Sequence, residues 1–268
     1  MTVRGRGGGR GRGSKGFELA VLGSGTAIPH AKRGASGYAC IAPTGEVLLV
    51  ECGPGSTRVW PRFGITFERV IGVVVTHHHV DHCSDIAAVL FGRAVCEPPV
   101  TSRIVLAGPK GHGRVVAGLG AAYGEPVLDR DGVVKVSELG DGDQVTIGPF
   151  RVASRVVAHS AGALALRIER GGRALVFSGD TGPADALVEL ARDADLALFE
   201  CSYPASRTAR KHLNSRTAAE AALGAGVTRL VLTHFYASTD RVDIRAEVRR
   251  AGYRGRLTLA RDGALFSV

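Results

Sequence analysis

Read as His-x-His-x-Asp-His, residues 77–82 bring three imidazoles and one carboxylate into six consecutive positions. His77 and His79 stand two apart, so on an extended backbone they project from one side and can share a metal ion. Asp81 and His82 lie past a turn and aim at a different point. Two adjacent metals are the natural reading. A histidine-rich surface turn can also bind metal adventitiously. That alternative explains neither the Asp held between the second and third motif histidines nor the apolar run that leads in.

That run, Val70-Ile71-Gly72-Val73-Val74-Val75, is short and β-branched, as a buried strand is, and Ser84 to Phe91 continues with helical composition. The cluster therefore belongs on a strand-to-helix turn. A two-metal centre needs more ligands than this turn supplies, and three other strand ends offer them. His159 closes the apolar run 152–158, Asp180 follows Leu175-Val176-Phe177-Ser178-Gly179, and His234 follows Leu230-Val231-Leu232-Thr233. Strand ends are where α/β sheets display ligand-binding groups.

The remaining elements follow from periodicity and turn residues. Strands are expected at 17–22, 37–42, 46–51 and 102–106, then as a series of short ribbons at 133–136, 144–147, 150–158, 163–168 and 173–177. Strands at 196–200, 229–233 and 256–259 alternate with helices at 183–191, 215–224 and 243–251. Further helices are expected near 56–63 and 113–123. Mixed ribbons with interleaved helices predict two sheets covered outside by helices, a four-layer αββα sandwich of the α/β class. Gly53-Pro54-Gly55 lacks the Lys-Ser/Thr or third glycine of a phosphate loop.

The chain has 268 residues, an apolar fraction of 45% and a net charge of +9. Arg4, Arg6, Arg10, Arg12 and Lys15 supply five of those charges, leaving +4 for the rest. Residues 1–16 are Arg-Gly repeats that bury nothing, so a disordered tail is expected before a single domain at 17–268. Such a tail could hold phosphate backbones or be an unimportant extension, including one created by a start site assigned too far upstream. No apolar run approaches the roughly 18 residues of a membrane span, and no secretory segment opens the chain, so a cytoplasmic protein is expected. Five scattered cysteines indicate neither a disulfide framework nor a Cys-type zinc site.

The order His-x-His-x-Asp-His, His, Ser-Gly-Asp-Thr, Thr-His resembles the metallo-β-lactamase superfamily from residue 17 onward. Within it the chain looks like tRNase Z and its short relatives. Leu22-Gly23-Ser24-Gly25-Thr26 with Pro29 and Arg33 resembles their opening loop, and Glu51-Cys52-Gly53 resembles their Asp-Cys-Gly. Glu200-Cys201-Ser202 and His212-Leu213-Asn214 resemble their paired Glu and His loops. The resemblance implies two Zn²⁺ ions, with Mn²⁺ or another divalent metal as a substitute. His77, His79 and His159 would hold the first, Asp81, His82 and His234 the second, and Asp180 would bridge. A metal-bridging hydroxide would attack the substrate, and His212, oriented by Glu200, would protonate the leaving group. Asp81 thus counts among the catalytic residues, and Arg33 is a candidate phosphate contact.

The implied activity is a phosphodiesterase or endoribonuclease acting on RNA or a smaller phosphodiester, with a homodimer as the family's assembly. One alternative is a metal-dependent hydrolase of small esters, thioesters or lactones; a second is a non-catalytic basic RNA-binding protein with a structural metal. Some positions depart from the family. Glu51 replaces Asp, Phe199 replaces His and Leu213 replaces Ser. Residues 160–179 leave no room for the Gly/Pro-rich arm that grips the tRNA elbow. Among the other histidines, His78 should point away from the metals, while His30 and His112 are expected in solvated turns. Cys83 and Cys201 read as small buried hydrophobes, and Trp60 and Phe63 as core.

Overall fold

The computed structural model describes residues 16–124 and 132–268. The expected tail lies outside the described residues except for Gly16. Six strands open the chain: β1 (Glu18–Gly23), β2 (Gly37–Ile41), β3 (Val47–Cys52), β4 (Val70–Val74), β5 (Ile104–Pro109) and β6 (Val134–Leu139). Seven more form a second sheet: β7 (Gln144–Ile147), β8 (Phe150–Val156), β9 (Leu164–Arg170), β10 (Arg173–Phe177), β11 (Leu196–Glu200), β12 (Arg229–Thr233) and β13 (Arg256–Leu259). Finally β14 (Leu265–Ser267), which has no counterpart in the sequence reading, returns to pair with β1 at the edge of the first sheet. The helices are α1 (Val80–Cys83), α2 (Ile86–Val95), α3 (His112–Tyr123), α4 (Asp185–Leu190), α5 (Ser215–Gly224) and α6 (Ile244–Arg250). The helix expected near 56–63 is a 3₁₀ segment, Thr57–Phe63, with Pro61 inside it.

Alternation along buried strands builds the four layers. Leu48 and Val50 of β3 meet Leu196 and Leu198 of β11 between the sheets. Their neighbours Val47 and Leu49 face outward to Ile86 and Val89 of α2, with Trp60 in the same outer core. On the other side Phe199 and Leu232 pack on Ala218, Ala222 and Val248. The small alanines on α5 let the helix approach the sheet closely.

Strand direction decides where the polar ends emerge. β10, β11 and β12 are parallel, and β8 runs the same way because β9 is antiparallel to both β8 and β10. Their C-terminal ends therefore open at one edge. The end of β4 joins them there, where the Leu164 N–H donates to the Thr76 carbonyl at 3.0 Å. Gly179 makes this junction possible. Its φ is +56°, and a Cβ would stand 2.6 Å from the Leu164 carbonyl oxygen and 2.9 Å from Thr76 Cβ. Gly53 is likewise a packing residue, since a Cβ there would lie 2.0 Å from the Asp81 carbonyl oxygen.

Candidate metal centre

His77 is the third residue beyond β4, and its Nε2 lies 3.0 Å from Nδ1 of His79. His159, after β8, brings Nε2 to 3.3 Å from the same His79 nitrogen. Three imidazole nitrogens thus surround one point. A second group forms beside it. Nε2 of His82, on α1, lies 3.5 Å from Asp81 Oδ2, and His234 Nε2 lies 3.6 Å from that oxygen. Asp180 stands between the groups: Oδ1 is 3.3 Å from His234 Nε2, while Oδ2 is 3.6 Å from His82 Nε2 and 3.9 Å from His159 Nε2. All seven residues expected as ligands come together.

Hydrogen bonds around the cluster set which nitrogen faces in. His77 Nδ1 rests 3.0 Å from Thr76 Oγ1, His159 Nδ1 lies 2.9 Å from the Lys211 carbonyl, and His234 Nδ1 is 3.1 Å from Ser202 Oγ. Each of these rings spends Nδ1 on the protein and turns Nε2 to the centre. Glu51 accepts from the Thr76 N–H at 3.1 Å and lies 3.5 Å from His82 Nδ1. Buried polar atoms normally find partners, yet both ring nitrogens of His82 and Nε2 of His234 are buried without a hydrogen bond. Orphaned nitrogens converging with carboxylate oxygens are what a divalent ion would satisfy, and the N/O donor set suits zinc.

Proton affinities in the cluster diverge strongly. Burial, helped by the neighbouring His82 charge, pushes His77 down to about 2. Burial also disfavours a charge on His82, but Asp180 and Glu51 outweigh it and hold the imidazole well above its ordinary value. Burial opposes ionisation of Asp180, and the charges of His234 and His82 overcome it, leaving the carboxyl well below the usual range. A cation bound among these groups would compete with protons for them.

The sequence profile of the beta-lactamase superfamily domain matches residues 47–235. An uncharacterized protein of Mycobacterium leprae is 32% identical over 93% of this chain and 88% of its own length. A ribonuclease Z of Kineococcus radiotolerans is 31% identical over 91% of this chain and 93% of its own. The crystal structure of the metallo-beta-lactamase fold protein YhfI from Bacillus subtilis superimposes with a TM-score of 0.81 at 24% identity, covering 94% of this chain and all of that one. This chain belongs to the metallo-β-lactamase superfamily, in its ribonuclease Z-like branch.

Next to the metallo-β-lactamase cluster stands a Glu–His pair. His212 Nδ1 lies 3.2 Å and 3.3 Å from the two carboxylate oxygens of Glu200, and 3.8 Å from Asp180 Oδ2. Burial disfavours charge on the ring, but the bond to Glu200 more than offsets it, so the pKa is raised. Glu200 is fully buried. Its Oε1 accepts from the Thr181 N–H at 2.6 Å, and its Oε2 accepts from the Ser202 hydroxyl. Burial pushes this carboxyl up, against the pull of His212.

Ser202 is a residue to which the sequence reading assigned no role, although it lies inside a quoted motif. By donating to Glu200 it becomes an acceptor for both His212 Nδ1, at 3.2 Å, and His234 Nδ1. Its signal was period-two spacing from Glu200, which places both on one face of an extended segment. Tyr236, two residues past His234, also stands beside the cluster. Its ring stacks on Tyr203 at 5.1 Å and meets His234 edge-on at 6.0 Å. Burial pushes the phenol up to about 12, so it remains a donor at neutral pH.

Arg33 is engaged with Asp240, which it holds together with His30 at 3.0 Å. His112 is fully buried, not solvated: its ring stacks on His78, 5.4 Å away at 6°, because α3 packs its first turn over β5. Phe199 and Leu213, both departures from the family pattern, face the outer core with Cys201 and take no part in the cluster. Among the described residues no helix is long and apolar enough to cross a membrane.

Proposed function

We propose that this protein is a dinuclear-metal phosphodiesterase of ribonuclease Z-like type, acting on RNA or a smaller phosphodiester. His77, His79 and His159 would hold one ion, Asp81, His82 and His234 the other, with Asp180 shared; zinc suits the donors and Mn²⁺ would be tolerated. Bound there, the ions would supply a nucleophilic hydroxide near neutral pH and neutralise charge on the phosphoryl oxygens.

The observation that carries the reading is His212 with its Nδ1 committed to Glu200 beside the cluster. The opposite ring nitrogen, Nε2, takes no hydrogen bond among the described residues and is the one able to give a proton to a departing alkoxide. Glu200 holds the ring in orientation and keeps it protonated, and Ser202 ties this relay to His234. An alkoxide leaving group needs such an acid, whereas a structural metal site does not. The 31% relative bearing the name ribonuclease Z supports a phosphodiester. The tight turn at Gly171-Gly172 joins β9 directly to β10, so nothing projects between His159 and Asp180 to grip a tRNA elbow; this favours a short substrate.

Metal-loaded protein should be assayed on bis-p-nitrophenyl phosphate, a dinucleotide, a 3′-extended tRNA and a panel of lactones. The reading expects phosphodiester turnover, with the dinucleotide preferred to the tRNA. Lactone turnover without phosphodiester turnover would replace it with the ester-hydrolase alternative.

A further inference from the structure

A cavity of about 860 Å³ opens between the 24–33 loop, the segment after β12 and the end of β13, and none of the metal-cluster residues lines it. Its volume lies within the roughly 300–1,000 Å³ of small-molecule sites. Phe235, Ile244 and Leu259 give it an apolar floor, while Lys32, Arg245 and Arg261 stand around it.

The charges there are unbalanced. Two carboxylates line the cavity, and both are already engaged. Asp240 is held by Arg33 and His30. Asp262 accepts from the Ser24 N–H at 2.9 Å, the Ser24 hydroxyl at 2.7 Å and the Gly34 N–H at 2.6 Å. Lys32 and Arg261 are exposed, and neither side chain has a hydrogen bond or ion pair among the described residues. Arg245 is anchored by the Leu257 carbonyl at 2.9 Å. The Arg33 guanidinium, fixed by Asp240, sits 5.2 Å above the Phe235 ring and closes one wall. Cations without partners over an apolar floor suit an anion that carries a flat apolar part.

We propose that this cleft is a second ligand site, distinct from the metal centre, for an organic phosphate of the nucleotide class. It lies back to back with the centre. The backbone turns at His234, whose φ is +58°, so Phe235 lines the cleft while His234 Nε2 sits in the metal cluster, 3.3 Å from Asp180 Oδ1. The Phe235 N–H donates to the Ser24 carbonyl at 3.1 Å, which ties the opening loop to the same backbone.

The test is titration calorimetry of the full-length, metal-loaded protein with AMP. Binding is expected in the wild type and, within about threefold, in Asp81→Ala, whose metal centre is disabled. The double variant Lys32→Glu/Arg261→Glu should weaken it at least tenfold. Both side chains are exposed and unpartnered, so the fold should tolerate the change, as circular dichroism would verify. Inorganic phosphate, lacking the flat part, should bind at least tenfold more weakly than AMP. Absence of saturable AMP binding, loss of all binding in Asp81→Ala, indifference to the double variant, or phosphate binding as tight as AMP would each overturn the assignment. None of these readouts uses turnover, so failure of the phosphodiesterase reading would register separately.

Discussion

Glu200→Gln separates a proton relay from simple support of the fold. The substitution keeps the shape of the side chain and an oxygen for the Thr181 N–H, but removes the charge that faces His212 at 3.2 Å. A hydrogen bond to a charged group contributes ~1.5–3 kcal/mol. Losing it lowers the proton affinity of His212, which that bond raises. General-acid catalysis is worth ~10²–10⁴ in rate, and its loss counts only where the leaving group needs a proton. Turnover of a dinucleotide, which expels a sugar alkoxide, should therefore fall about 100-fold. Turnover of bis-p-nitrophenyl phosphate, whose phenolate departs unaided, should fall less than about fivefold. The pH profile adds a second readout. His212 has a raised pKa and must be protonated to act, so activity toward the dinucleotide declines as pH rises through that value; Glu200→Gln moves the decline to lower pH. The stability contribution has the same sign, being complete below the unfolded imidazole pKa and lost as pH rises through the folded one. Equal losses on the two substrates, or an unmoved alkaline limb, would refute a role for the pair in proton transfer.

Further outcomes follow from the same geometry. Asp81→Ala should reduce phosphodiester turnover by at least about 10³-fold with unchanged circular dichroism, since it removes a carboxylate that faces both His82 and His234; steady-state kinetics with metal analysis would show it. Gly179→Ala should cost more than about 2 kcal/mol in urea denaturation, because it adds a backbone collision at 2.6 Å to a positive φ. Gly172→Ala, also at positive φ but with open space around it, should cost no more than about 1 kcal/mol. Asp240 is held below the usual carboxylate range, first by its bond to Arg33. Its contribution is present above the unfolded carboxyl pKa and fades as pH falls through the folded one, so Asp240→Asn should lower the urea midpoint at pH 7 and match the wild type near pH 2.

Much of the centre was legible in the chain because its information is local. Four candidate ligands sit within six residues, and the spacing of His77 and His79 alone points them at one site. His159, Asp180 and His234 were legible for a related reason, since each follows a run of apolar β-formers and parallel strands open their C-terminal ends at one sheet edge. The layer order followed from alternation, as in β11, where Leu198 faces the other sheet and Phe199 faces the helices.

What needed three dimensions was every interaction whose partner lies far along the chain. Arg33 meets Asp240 across 207 residues, and no periodicity in the 24–34 loop announces it. His112 sits between Gly111 and Gly113, just after Lys110, as a solvated residue would, yet its burial against His78 depends on how α3 docks on β5. Ser202 acquires its role only when β11 and β12 lie side by side and bring His234 to 3.1 Å. Residue type and spacing determine which atoms can bind a metal; the packing of two sheets determines which of their nitrogens face inward, and which cations elsewhere are left without a partner.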